Sequence, residues 1–258
     1  MKLIRLILIS FFCAFVLPGM VYAHTITVHT SNVDPLIQIL GLNWIEGDTQ
    51  TYELDAGTYY LNSAPGGRFA SFTLESDGSI TYEPQDSITV SGQIGNHTIS
   101  VVGYPITIDA VGLSQDIAFG YWPHTGSFLG WTVSGTSRSY NLIADTDGVY
   151  ELYTYDTHKF AEFGIDKEGK VFYDSIYVGI LDGAGTAIVE PIGHPVTVDA
   201  LNNAQKIGLN YWAHGGQFLG WTESGTTRIF NLVSSSEAAY QYRLYTYDTY
   251  EFARFGID

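Results

Sequence analysis

Two stretches of this chain are the same stretch written twice. Tyr104-Pro105-Ile106-Thr107-Ile108-Asp109-Ala110 matches His194-Pro195-Val196-Thr197-Val198-Asp199-Ala200. Phe128-Leu129-Gly130-Trp131 matches Phe218-Leu219-Gly220-Trp221, Arg138 matches Arg228, and Phe163-Gly164-Ile165-Asp166 matches Phe255-Gly256-Ile257-Asp258. The offset is 90 residues and becomes 92 after a two-residue insertion near Ser236. A repeat of this length describes one small folded unit used again, which constrains architecture more than any local pattern does. A fainter, shorter copy precedes the pair. Ile26-Thr27-Val28 reads like Ile106-Thr107-Ile108, and Gly57-Thr58-Tyr59 tracks Gly148-Val149-Tyr150. Trp44 is matched with Trp122, on which reading the first copy lacks the Phe-Leu-Gly-Trp return.

Within each copy, short runs rich in β-branched and aromatic residues alternate with turn signals such as Asp77-Gly78, Asp147-Gly148 and Glu168-Gly169. No segment sustains a helical period. The expectation is an all-β chain of tandem antiparallel β-sandwich-like repeats, with a propeller-like closed array as the alternative. Both Phe-Gly-Ile strands, with Phe163, Ile165, Phe255 and Ile257, are expected to be buried. The expected divisions are a signal peptide at 1–23, a short diverged β unit at 24–76, and two repeat units at 77–166 and 167–258.

The start fits export. Lys2 and Arg5 precede an apolar run from Leu6 to Val16, and Val21 and Ala23 occupy the small-residue positions before a cleavage site at His24. That run is short for a membrane span, so no membrane insertion is expected once it is cleaved. Cys13, the one cysteine, lies inside it, so the remaining chain has no disulfide or thiol chemistry. Beyond residue 23 there are nine basic residues against 27 acidic ones. Such a chain is repelled by nucleic acid. The expected compartment is outside the cytoplasm: secreted, on the cell surface or in the periplasm.

Candidate site residues come from the aromatic hairpins. Trp122, His124 and Trp131 in one copy recur as Trp212, His214 and Trp221 in the next. Rings on neighbouring strands make good cross-strand core pairs. Exposed, the same rings would stack on the apolar C–H faces of sugars, with histidine as a hydrogen-bond partner. A glycan or polysaccharide is therefore the expected partner. Other copies of the chain, joined in a surface-layer, appendage or matrix assembly, are the second reading. A third concerns copper: cleavage before His24 would expose an amine–imidazole chelate, with His29 as a further ligand. Asp145-Thr146-Asp147-Gly148 resembles the start of a calcium loop but lacks its distal acidic ligand. No nucleophile elbow, zinc-protease motif or phosphate loop is present, so catalysis is not the expected activity.

Overall fold

The computed structural model describes residues 23–64, 67–120, 128–154, 159–166, 168–172, 178–183, 186–210, 217–234, 242–248 and 250–257, with backbone alone at 145–149, 178–183 and 186. The signal peptide expected at 1–23 lies almost wholly outside them.

Every element is a strand. In β1 (His24–His29), His24, Ile26 and Val28 are buried while Thr25, Thr27 and His29 face outward, the period-2 pattern of a sheet with one wet face. β1 is flanked by β3 (Thr49–Leu54) and, in parallel, by β8 (Asn96–Val101), which pairs with β7 (Ile88–Gln93). A second sheet has the order β2 (Leu36–Ile39), β4 (Gly57–Ala64), β5 (Gly67–Leu74), β6 (Ile80–Glu83). One core joins the two sheets, with Ile26, Val28 and Ile99 from the first meeting Ile37, Leu61 and Phe72 from the second. This is a β-sandwich.

The second unit repeats the plan. β9 (Tyr104–Asp109) lies between β12 (Ser137–Leu142) and, in parallel, β17 (Thr186–Pro191), which pairs with β16 (Val178–Gly183). The facing sheet has the order β11 (Gly130–Thr132), β10 (Ile117–Phe119), β13 (Asp145–Thr154), β14 (Lys159–Ile165), β15 (Val171–Phe172). Phe119 sits at the centre of its core, with ring centroids 4.8 Å from Tyr140, 5.8 Å from Tyr150 and 5.7 Å from Phe163.

The third unit has fewer strands among the described residues. β18 (Gly193–Asp199) pairs only with β21 (Thr227–Val233) among the described residues. The facing sheet is β20 (Gly220–Thr222), β19 (Ile207–Leu209), β22 (Tyr242–Thr246), β23 (Glu251–Phe255). Phe163 and Ile165 are buried as expected, but Phe255 and Ile257 are only half-buried. Among the described residues, nothing in the third unit stands where β15, β16 and β17 cover the second.

The structure therefore moves the boundaries. The divisions expected at 76/77 and 166/167 each cut between paired strands, with Leu74 opposite Ile80 and Ile165 opposite Val171. Grouped by sheet and core, the units run 24–101, 104–191 and 193–257. The described residues form three sandwiches, not a closed ring of blades.

Successive units are joined by one junction, made twice. Asn141 on the outer edge of β12 donates its N–H to Asp34 Oδ2 (2.6 Å) and accepts from the Asp34 N–H (2.9 Å). Ninety residues on, Asn231 donates to Ser114 Oγ (2.9 Å) and accepts from the Ser114 N–H (2.9 Å). The strand then hands an aliphatic side chain to the preceding core: Ile143 packs into the first, Val233 into the second. A buried tyrosine hydroxyl braces each bend, Tyr150 donating to the Ile143 carbonyl (2.9 Å) and Tyr242 to the Val233 carbonyl (2.7 Å). Tyr242 also stands 2.7 Å from the buried Gln115 amide of the second unit. Tyr242→Phe leaves those buried groups short of a partner and is expected to cost about 1–3 kcal/mol in denaturant unfolding.

Candidate aromatic binding faces

The site is built on the outward face of the sheet that contains β10 or β19. Strand alternation sends Ile117 and Phe119 into the core and Ala118 outward, and Trp131 lies directly opposite Ala118. In the third unit Trp221 lies opposite Gly208. The neighbouring Thr132 and Thr222 point inward and are buried, so both indoles lie outside the sandwich core, partly buried against the outer face of the sheet. The ring of Trp221 lies close over β19; a Cβ at Gly208 would stand 2.8 Å from it.

The backbone beneath each tryptophan is held by arginine. Gly130 and Gly220 adopt φ values of +140° and +128°, open to glycine and strained for other residues. The guanidinium groups fill the space a side chain there would need. Arg138 donates to the Trp131 carbonyl (3.2 Å) and Arg228 to the Trp221 carbonyl (3.0 Å).

The first unit holds a third such tryptophan, which the sequence comparison had misaligned. Trp44 forms a bridge with Gln38 on β2, the register position that Trp131 has with Ala118 and Trp221 with Gly208. Trp44 therefore corresponds to Trp131, not Trp122. The first unit keeps the outward indole and shortens the chain leading to it, and Trp44 is 40% exposed.

Polar groups lie on the same sheet faces as these rings. Trp131 packs edge-on against Phe128, and the adjoining Tyr153 donates to Glu151 (2.5 Å). Lys159 bridges Glu162 (3.0 Å) and Glu151 (3.3 Å), and the hydrogen bond it donates to Glu162 is the main cause holding its pKa above the usual lysine value. In the third unit, Lys206 lies 4.9 Å from the Trp221 ring centroid and 4.6 Å from that of Tyr247. Burial raises the Tyr245 pKa, and Arg254 pairs with Glu251. A groove of about 350 Å³ adjoins Lys206, lined by Asn203, Gln205, Thr246 and the exposed Phe252. In the second unit the matching Leu113 and Gln115 are buried at the junction with the third.

No family model matches the chain. No curated protein matches it either. Among solved structures, a C-terminal fragment of the pilus adhesin SpaC from Lactobacillus rhamnosus GG aligns over 65% of this chain and 96% of its own, at 12% identity and a TM-score of 0.24. The Bacillus anthracis TIE protein aligns over 92% of this chain and 48% of its own, at 12% identity and a TM-score of 0.19. Two B repeat units of the collagen-binding protein of Staphylococcus aureus align over 90% and 69%, at 12% identity and a TM-score of 0.15. Likenesses at these scores carry no argument about this chain.

The remaining expected site residues fall differently. Trp122, His124, Trp212 and His214 lie outside the described residues. The Asp145–Gly148 side chains do too. The copper pair does not assemble: His24 points into the sandwich and His29 outward, where its Nδ1 lies 3.0 Å from Thr49 Oγ1. Five residues of strand hold them roughly 16 Å apart on opposite faces, too far to share an ion. Among the described residues, no three metal-ligating side chains cluster.

Proposed function

We propose that the protein is an exported, non-catalytic binding protein that holds glycan chains on equivalent aromatic faces of its units. The observation that carries this reading is the recurrence of Trp44, Trp131 and Trp221 at one register position, each directed away from a core that already has its aromatic residues. An indole that contributes nothing to the core and is kept outward in three units is best explained by a contact it makes with something else. Sugars suit such a face. Their C–H surfaces stack on indole, and their hydroxyls find partners in Lys159 and Glu162 in the second unit, or in Lys206, Asn203 and Gln205 in the third. The outward cations are notable because the chain beyond residue 23 has only nine. Weak sites on one chain act together through avidity, so no single face need bind tightly. An adhesive role at a cell surface or in a matrix follows from this reading together with the export signal.

The test is binding of the mature protein to immobilised plant, bacterial and animal polysaccharides. Retention on at least one, lost on adding the free oligosaccharide, supports the reading. Absence of retention on all of them contradicts it.

A further inference from the structure

The outward faces of the second and third units match in fold and are opposite in charge. Tyr150-Glu151-Leu152-Tyr153-Thr154 recurs as Tyr242-Arg243-Leu244-Tyr245-Thr246. Lys159-Phe160-Ala161-Glu162-Phe163 recurs as Glu251-Phe252-Ala253-Arg254-Phe255. Every difference between these segments is a reversal of charge. A further reversal stands at the head of the neighbouring strand, where Asp116 becomes Lys206. The inward residues are unchanged, so the reversals are confined to the side that carries Trp131 and Trp221.

The two sets share one geometry. Glu151 lies directly opposite Glu162, and Arg243 directly opposite Arg254. Like charges so placed repel, and one opposite charge joins each pair. Lys159 joins Glu151 and Glu162. Glu251 is hydrogen-bonded by Arg254 and lies 3.9 Å from Arg243. Internal pairing is therefore alike in the two units and does not require the reversal, since partly exposed pairs of this kind are worth about 0–1 kcal/mol in either order. The excess charge is what differs. At these positions the second unit has three acids and one base, and the third has three bases and one acid. Lys206, Arg243 and Arg254 are three of only nine basic residues beyond residue 23, in a chain with 27 acidic ones. Lys206 lies against the rings of Trp221 and Tyr247, with Glu223 at 4.0 Å. Glu162 stays partly exposed with β15 beside its strand, so the face does not depend on what lies at that edge.

We infer that the face of the third unit selects an anionic saccharide, one bearing carboxylate or sulfate groups, and that the face of the second unit rejects it. This rests on the glycan reading and adds the class of sugar. Trp221 stacks on a C–H face of the ligand, and Lys206 meets an anionic group beside that ring. Arg243 and Arg254 stand two and three strands away from Trp221 on the same face. At the usual strand spacing that is about 10 and 14 Å, a span that a short oligosaccharide covers. Guanidinium groups hold oxyanions through paired, charge-assisted N–H donors. Glu151 and Glu162 at the same places repel the same ligand. The acidity of the whole chain does not cancel the local attraction, because exposed charges beyond about 8 Å are largely screened at physiological salt.

Indole NMR on the mature protein tests it, with oligosaccharides of pectate, hyaluronan and carrageenan as probes. Each is paired with its neutral form, methyl-esterified or desulfated, so the carboxylate and sulfate arms are read separately. For at least one pair, the Trp221 resonance should titrate roughly tenfold or more tightly with the charged form. Trp131 should show no preference for that form. Lys206→Asp, Arg243→Glu, Glu251→Lys and Arg254→Glu together give the third unit the residues of the second, in a fold that already accepts them. This variant should lose the preference at Trp221. Should it fail to fold, Arg243→Gln with Arg254→Gln should weaken the preference in the same direction. Equal titration of Trp221 by the charged and neutral forms of every pair overturns the inference and leaves the glycan reading standing. So does a preference that survives the substitutions. A polyglutamate peptide that shifts Trp221 as strongly as any saccharide also overturns it, by reducing the face to charge alone. If no saccharide shifts Trp44, Trp131 or Trp221, both the inference and the glycan reading fall.

Discussion

Replacing Trp44, Trp131 and Trp221 together by alanine is expected to lower apparent affinity for a polysaccharide ligand by roughly two to four orders of magnitude. On the proposed reading each indole anchors its face, and truncating an anchor of this kind typically costs about 2 kcal/mol or more at its own site. The sites lie on one chain, so losing all of them also removes the avidity that multiplies weak contacts. A single Trp221→Ala substitution should cost about tenfold, because the other faces still engage. The fold should survive: none of the three rings lies in a core, and far-UV circular dichroism should be unchanged. A triple variant that binds like the wild type would remove these residues from the site.

The largest stability effect is expected at Phe119. Its side chain is fully buried and touches the rings of Tyr140, Tyr150 and Phe163. Phe119→Ala removes the hub of that cluster and leaves a cavity that four strands cannot close, which costs about 3–5 kcal/mol. The loss should reach the neighbours, because Ile143 of the second unit fills the first core and Val233 of the third fills the second. Chemical denaturation should therefore show the whole array weakened. An unchanged transition for the first and third units, with only the second lost, would show that the junctions transmit little.

Much of this was legible in the sequence, and particular residues show where legibility stopped. Alternation along Ile106-Thr107-Ile108 identifies a strand and its buried face, and the 90-residue offset guarantees that its partner does the same. Two matched units of short strands then favour paired sheets. The divisions were lost because β8 and β17 join their sheets by parallel pairing with strands far back in the chain, β1 and β9. Nothing local in Asn96–Val101 or Thr186–Pro191 reports that partner. Trp44 was paired with the wrong tryptophan for a related reason. Matching by linear order meets Trp122 first, and only the bridge to Gln38 reveals the shared register with Trp131.

Two other outcomes differ in kind. The separation of His24 from His29 could have been read directly, since an odd spacing of five on one strand places side chains on opposite faces. Phe255 and Ile257 could not. Their alternation with Gly256 marks an inward face, but whether another strand covers that face depends on a hairpin that has no counterpart among the described residues. The unit that looked least complete by similarity, the first, is a full sandwich.

The central claim is that the outward tryptophans touch ligand, and indole NMR tests it most directly. The mature, ¹⁵N-labelled protein has five tryptophans, hence five indole N–H resonances, assignable by single substitutions. On titration with an oligosaccharide from a retained polysaccharide, the resonances of Trp44, Trp131 and Trp221 should shift together and saturably. Shifts confined to other residues, with these three unmoved at saturation, would contradict the account.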